Sequence, residues 1–200
     1  YKGFFPKEML KTLNDDGTYL PSHMDRLRTP GVDMTAGSLG QGLSAACGMA
    51  LAARMDGRAH KVFCIIGDGE SNEGQIWEAA MFGGHNKLDN LIAICDYNKL
   101  QIDGFTDDIL TLEPLADKWR AFNWEVMEMD GHNWDDIYKT LNRAKKITGK
   151  PVMILAHTIK AKGNKAVENT PGSHNIKVDN QEAYEKYMSA LDLTEYTLPY

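Results

Sequence analysis

The sequence predicts an α/β domain built on a mainly parallel sheet with helices on both faces, and three observations carry that prediction. Two short apolar runs, in KVFCIIGDG and NLIAICDYN, are rich in β-branched residues and bounded by Gly, Asp or Asn, as expected of strands buried on both faces. The segment between them, EGQIWEAAMFGGHN, offers Ile76, Ala79, Ala80 and Gly83 at helical spacing. Strand, helix and strand then form one right-handed crossover with parallel strands. Downstream, two more strand-like runs are separated by a further helical pattern, the alternation typical of covered parallel sheets.

Taken in order, FFPKEMLKTL predicts a short helix beginning near Pro6, with a turn at Asn14 to Gly17. A polar stretch through Pro21, Pro30 and Gly31 reads as ordered loop. The pattern from Gly42 to Met55 predicts a helix packed through Leu43, Cys47, Ala50 and Leu51, with enough Ala and Gly to let a neighbour approach closely. The two strands follow at Val62 to Ile66 and Leu91 to Cys95. Leu115 to Phe122 predicts another helix and Trp124 to Met129 a third strand. Trp134, Ile137, Leu141 and Ala144 mark a fourth helical face, and Pro151 to Thr158 the fourth strand. A loop rich in Lys, Gly and Asn leads to a last helix from about Gln181 to Leu191. No repeat, low-complexity tract or linker divides the chain, so 1-200 is expected to be one domain.

Composition narrows the function. With 42% hydrophobic and 25% charged residues the chain reads as soluble and globular, and no run is long and apolar enough to span a membrane. A formal net charge of −6 argues against nucleic acid or an anionic membrane as partner. Cys47, Cys64 and Cys95 lie within apolar elements without metal-ligand spacing, so they are expected to be small buried hydrophobes. Unpaired thiols, and an opening YKGFFPKEMLKT unlike a signal peptide, point to the cytoplasm.

The crossover brings Asp68 and Asn98 to the same edge of the sheet, the carboxyl end of its strands, where ligands of open α/β folds bind. Asp68 and Asn98 supply hard oxygens of the kind Mg²⁺ accepts alongside phosphate, while Gly67 and Gly69 are expected to let the backbone turn sharply and approach a phosphate. A diphosphate held by a divalent metal suits that pairing. Either half alone is also compatible with a plain capping turn.

The fuller strings GDGESNEGQIWEAA and KLDNLIAICDYNKLQIDG closely resemble the thiamine-diphosphate signature of transketolases. Upstream, TPGVDMTAGSLGQGLSAACGMALAARM is similar to the segment of that family leading into a glycine-rich turn and a small-residue helix, and VENTPGSH resembles its late histidine segment. The resemblance runs from about Leu20 to about Asn175. It implies the family's thiamine-diphosphate-binding (diphosphate-type) domain, with thiamine diphosphate and Mg²⁺ (or Ca²⁺) as cofactors.

Residue by residue, the resemblance implies that Asp68, the Asn98 amide oxygen and the Leu100 carbonyl ligate the metal, and that the Gly69 N–H meets the diphosphate. Gly37 and Leu39, in GSLGQG, would lie against the cofactor rings. His23, in SHMDRLRTPG, would face the substrate, although Ser22 and Met24 replace the family's usual Gly and Pro. His174 would contact the diphosphate and the reacting centre, with Asn175 in place of the usual Gly. Lys160, in HTIKAKG, would offset diphosphate charge or simply be solvated. Glu73 and Glu78 would meet their counterparts across a dimer axis and relay protons between active sites, or else Glu73 would serve the helix N-terminus. His60, His85, His132 and His157 match no functional position.

The activating glutamate that transketolases take from a pyrimidine-binding domain has no counterpart here, nor has an earlier Gly-His-Ala segment. The expectation is therefore the first subunit of a split transketolase, shortened at its N-terminus, that moves a two-carbon ketol unit from a ketose to an aldose only with a separate pyrimidine-domain subunit, as a dimer of heterodimers. Two alternatives stay open: an E1-type 2-oxo acid dehydrogenase subunit, and a non-catalytic truncated domain that only self-associates.

Overall fold

In the computed structural model, which describes residues 2–192, a 3-10 helix at Lys7–Thr12 is followed by α1 (Gln41–Met55), β1 (Val62–Gly67), a 3-10 turn at Gly69–Asn72, α2 (Gly74–His85) and β2 (Leu91–Tyr97). Next come a two-residue hairpin of β3 (Leu100–Gln101) and β4 (Gly104–Phe105), α3 (Thr106–Ile109), α4 (Leu115–Ala121), β5 (Glu125–Asp130), α5 (Trp134–Ala144) and β6 (Val152–His157). A 3-10 turn at Pro171–His174 and α6 (Gln181–Ser189) complete the order.

The main sheet has the order β1-β2-β6-β5, and every neighbouring pair is parallel. Chain direction across the sheet explains where the helices go. From β1 through β2 to β5 the chain advances to the far edge, and the helices on that route, α2 and α4, lie on one face together with α1. From β5 the chain steps back to β6 and places α5 on the other face. A right-handed crossover requires this change of face when the direction reverses.

Two cores result. The larger packs Leu43, Ala46 and Cys47 of α1, Ile76, Ala79 and Ala80 of α2 and Leu115 and Trp119 of α4 onto β1, β2 and β6. The smaller joins Ala144, Ile137 and Leu141 of α5 to Ile92, Met127, Met129, Val152, Ile154 and Ala156. Each large aliphatic side chain fully withdrawn from water contributes about 1.5–3 kcal/mol. All three cysteines are buried and free, and burial pushes the Cys47 thiol up to about 11, as expected of packing residues.

Two expectations need correction. β1 is not buried on both faces: Phe63 is 46% and Ile65 75% exposed. It forms the edge of the described sheet, and the smaller core reaches only from β5 to β2, so the β-branched run reports strand preference there rather than burial. Trp134 does not share the inward face of α5 either, being 82% exposed at its first position, where Thr140 is buried farther along. The opening helix is of the 3-10 type and begins after Pro6.

Candidate functional site

β1 and β2 run in register, with Ile66 opposite Cys95 and Gly67 opposite Asp96, so Asp68 and Asn98 leave the sheet side by side. Asp68 is 1% exposed. Its Oδ1 accepts the Gly69 N–H at 2.7 Å, and its Oδ2 accepts the Lys99 N–H. Among the described residues no Lys, Arg or His side chain pairs with it. Burial pushes its carboxyl above the ordinary value, partly opposed by the two backbone donors. A carboxylate withdrawn from water without a counter-ion is costly, and a divalent cation arriving at this edge would remove that cost.

Asn98 is also buried, and its Oδ1 accepts the Leu100 N–H at 2.9 Å. The local turn bond left open by the sequence is therefore present. It uses one acceptor position of an oxygen that has two, so the turn orients the amide without exhausting it. Leu100 follows directly at the start of β3. Among the described residues no three His, Cys, Asp or Glu side chains gather as a metal cluster. A carboxylate, an amide oxygen and a main-chain carbonyl are the donor set left for a hard cation that takes its remaining ligands from phosphate and water.

The glycines act differently from expectation. Neither Gly67 nor Gly69 has positive φ; Gly67 ends β1, and Gly69 is required because a Cβ there would lie 2.8 Å from Cβ of Gln101. Close approach, not a sharp turn, is the reason for that residue. Sequence reasoning also missed Glu70. Its Oε1 accepts the Gly40 N–H at 2.8 Å and its Oε2 the Gly67 N–H at 3.0 Å, so one carboxylate fastens the glycine-rich turn before α1 to the end of β1. A glutamate directly after GDG was the available signal.

That turn carries two more predicted residues. Gly37, at φ 138°, lies under the His23 ring so closely that a Cβ would fall 2.2 Å from the ring. Gly37 and His23 are thus in contact, and Leu39 is 54% exposed beside them. His174 ends a 3-10 turn that packs against β3, placing it next to the Leu100 segment. Lys160 is half-buried in the loop after β6, its carbonyl accepting the Asn169 N–H at 3.0 Å; no described contact joins its ammonium to Asp68. Glu73 and Glu78 are exposed at the start of α2, and Glu73 makes no side-chain capping bond to the helix.

Two histidines without an expected role hold the neighbouring strand ends. His132 Nε2 accepts the Ile159 N–H at 2.8 Å, and His157 Nε2 lies 2.8 Å from Glu128. A cavity of about 680 Å³ lies elsewhere, beside the start of β5 among Lys87, Arg120 and Lys150, and includes none of the strand-end residues.

The family described as "Transketolase, thiamine diphosphate binding domain" matches residues 3–192. The chain belongs to the transketolase family. It is 59% identical over 180 residues to the 6-deoxy-6-sulfo-D-fructose transketolase subunit SqwG of Clostridium sp. (strain MSTE9), covering 90% of this chain and 66% of that protein. It is 42% identical over 185 residues to an apulose-4-phosphate transketolase subunit of Phocaeicola vulgatus, covering 92% and 65%. The chain therefore spans about two thirds of the length of these curated relatives. Among solved structures, transketolase from Campylobacter jejuni superposes with a TM-score of 0.83 at 34% identity, over 91% of this chain and 29% of that one. Among the described residues no helix is long and apolar enough to cross a membrane.

Proposed function

We propose that this chain is the thiamine-diphosphate-binding subunit of a two-chain transketolase, and that it binds the cofactor through a divalent metal, Mg²⁺ by preference, held by Asp68, Asn98 and the Leu100 carbonyl. The observation that carries the proposal is the buried Asp68 carboxylate, without an ion-pair partner among the described residues, side by side with the Asn98 amide, in a chain of this family. When bound, thiamine diphosphate supplies the electron sink that allows a ketose C2–C3 bond to break and its two-carbon ketol unit to pass to an aldose.

The chain's own residues then bind and orient. Gly69 donates its N–H to Asp68 Oδ1 and so holds the carboxylate in place beside the diphosphate, and Gly37 and Leu39 line the adjoining turn. His23, resting on Gly37, faces the substrate, and His174 approaches from the β3 side. Lys160 adds positive charge near the diphosphate. The activating glutamate comes from a pyrimidine-domain subunit on a separate chain, a division that the word "subunit" in the names of both relatives supports. The complex is a dimer of heterodimers in the cytoplasm, with Glu73 and Glu78 at its two-fold contact.

The donor is a ketose and the acceptor an aldose. The identity to the sulfofructose transketolase subunit makes 6-deoxy-6-sulfo-D-fructose the first donor to try. Of the enzyme readings open from sequence, the family match favours transketolase over a 2-oxo acid dehydrogenase subunit. The test is calorimetric titration of the chain with thiamine diphosphate, with and without partner subunit. Binding is expected with Mg²⁺, and is expected to be lost in EDTA and in Asp68→Ala while the fold persists. Undiminished affinity in either condition would overturn the assignment.

A further inference from the structure

Lys99 stands between the two predicted oxygen donors Asn98 and Leu100, and its backbone is left-handed, with φ 65°. For a residue other than Gly that conformation costs about 1 kcal/mol or more, and it persists where the surroundings enforce it. Here the surroundings hold Lys99 at both ends. Its N–H is donated to Asp68 Oδ2, and its carbonyl accepts the Thr106 N–H at 2.9 Å. Its ammonium donates to Glu113 Oε1 and to the Tyr97 hydroxyl, and sits 4.1 Å from the centre of the Tyr97 ring.

Both anchors are themselves fixed. Tyr97 is 8% exposed at the end of β2, packed edge-on against His157 with ring centres 5.2 Å apart. Its hydroxyl donates to the same Glu113 oxygen that takes the Lys99 ammonium. The other oxygen, Oε2, accepts the Leu115 N–H at 3.0 Å, tying Glu113 to the first turn of α4. A line of contacts thus runs from α4 through Glu113 and Lys99 to the carboxylate of Asp68.

We propose that Glu113 and Tyr97 are positioning residues for the metal site: by clamping the Lys99 side chain they hold the left-handed turn that aims Asn98 and Leu100 at the same cation as Asp68. The inference rests on the metal assignment given above. The clamp touches no cofactor atom; it sets the geometry of a turn whose neighbours do. Because Glu113 and Lys99 are both partly exposed, the expected effect is graded and not all-or-none.

The experiment measures the Mg²⁺ concentration giving half-maximal thiamine diphosphate binding, by calorimetry on the chain with its partner subunit. Lys99→Met keeps an unbranched apolar stem as far as Cε but removes the ammonium that sits over the Tyr97 ring. It is expected to raise the half-saturating Mg²⁺ by roughly fivefold, with the unloaded melting temperature lowered only modestly. Glu113→Gln should act in the same direction, and the double variant should be no worse than the more affected single one, because both remove one shared interaction. Lys99→Arg, which can still pair with Glu113, should remain within about twofold of the parent. If Asp68→Ala abolishes binding but Lys99→Met leaves the Mg²⁺ requirement where it was, the clamp is overturned and the metal site stands. If Asp68→Ala binds as the parent does, the metal site itself is overturned and the clamp with it. Additive effects of the two single changes would also sink the clamp.

Discussion

Glu113 carries an acid-stability signature of its own. Burial alone would raise its carboxyl, but the hydrogen bonds from Lys99 and Tyr97 outweigh that and hold it at about 2, below an ordinary 4.5. A depressed folded-state value means the folded chain binds the proton less readily than the unfolded one, so Glu113 contributes stability above pH 4.5 that is lost as pH falls toward 2. Glu113→Gln should therefore lower the melting temperature modestly near neutrality, and the gap to the parent should shrink through that window; a constant gap would show that the ion pair adds nothing. Gly84 makes a sharper test of packing. A Cβ there would lie 1.8 Å from the carbonyl oxygen of Phe122, a main-chain atom that cannot step aside alone. Gly84→Ala should cost about 2 kcal/mol or more, read as a fall of several degrees in a thermal melt.

The helix α5 shows how local chemistry makes an element. Asn133 Oδ1 accepts the N–H groups of Asp135 and Asp136 at 3.0 and 3.2 Å, two acidic residues favour the helix start, and Ile137, Leu141 and Ala144 fall on the sheet side. Asn133→Ala should cost about 1 kcal/mol, and a denaturant midpoint left unmoved would contradict the cap. Because such signals are local, the long helices and the four main strands were legible to within a residue or two, from Val62 at the start of β1 to His157 at the end of β6. What escaped was fixed by pairing or by partners elsewhere in the chain. The β3–β4 hairpin is two residues a side and exists through its pairing, Leu100 opposite Phe105. Glu70 works by reaching Gly40, thirty positions away in sequence. The open face at Phe63 and Ile65 follows from the strand order, which hydrophobic pattern does not encode. Site residues were legible as motifs, whereas the contact of His23 with Gly37 and the crowding of Gly69 by Gln101 needed the fold.

At the scale of the whole molecule, the strand-end site is one wall. Its residues come from the Gly37 turn, the ends of β1 and β2 and the Pro171–His174 turn, and its proposed completion lies on another chain. The single chain with thiamine diphosphate and Mg²⁺ should therefore give no ketol transfer from a ketose to an aldose, and activity should appear on adding the pyrimidine-domain subunit; robust turnover by the chain alone would refute that division of labour. Self-association is a separate matter, argued from α2. Glu73 and Glu78 are exposed there, with Met81 58% and Phe82 44% exposed farther along, a mixture of acid and apolar surface suited to a contact. In an isologous contact every residue acts twice, so a change of charge there is felt doubly. Glu78→Lys should then weaken association of the assembled complex in light scattering without changing the melting of the isolated chain. If the parent complex shows no two-fold association even with partner and cofactor present, the two glutamates are ordinary solvated residues at a helix start.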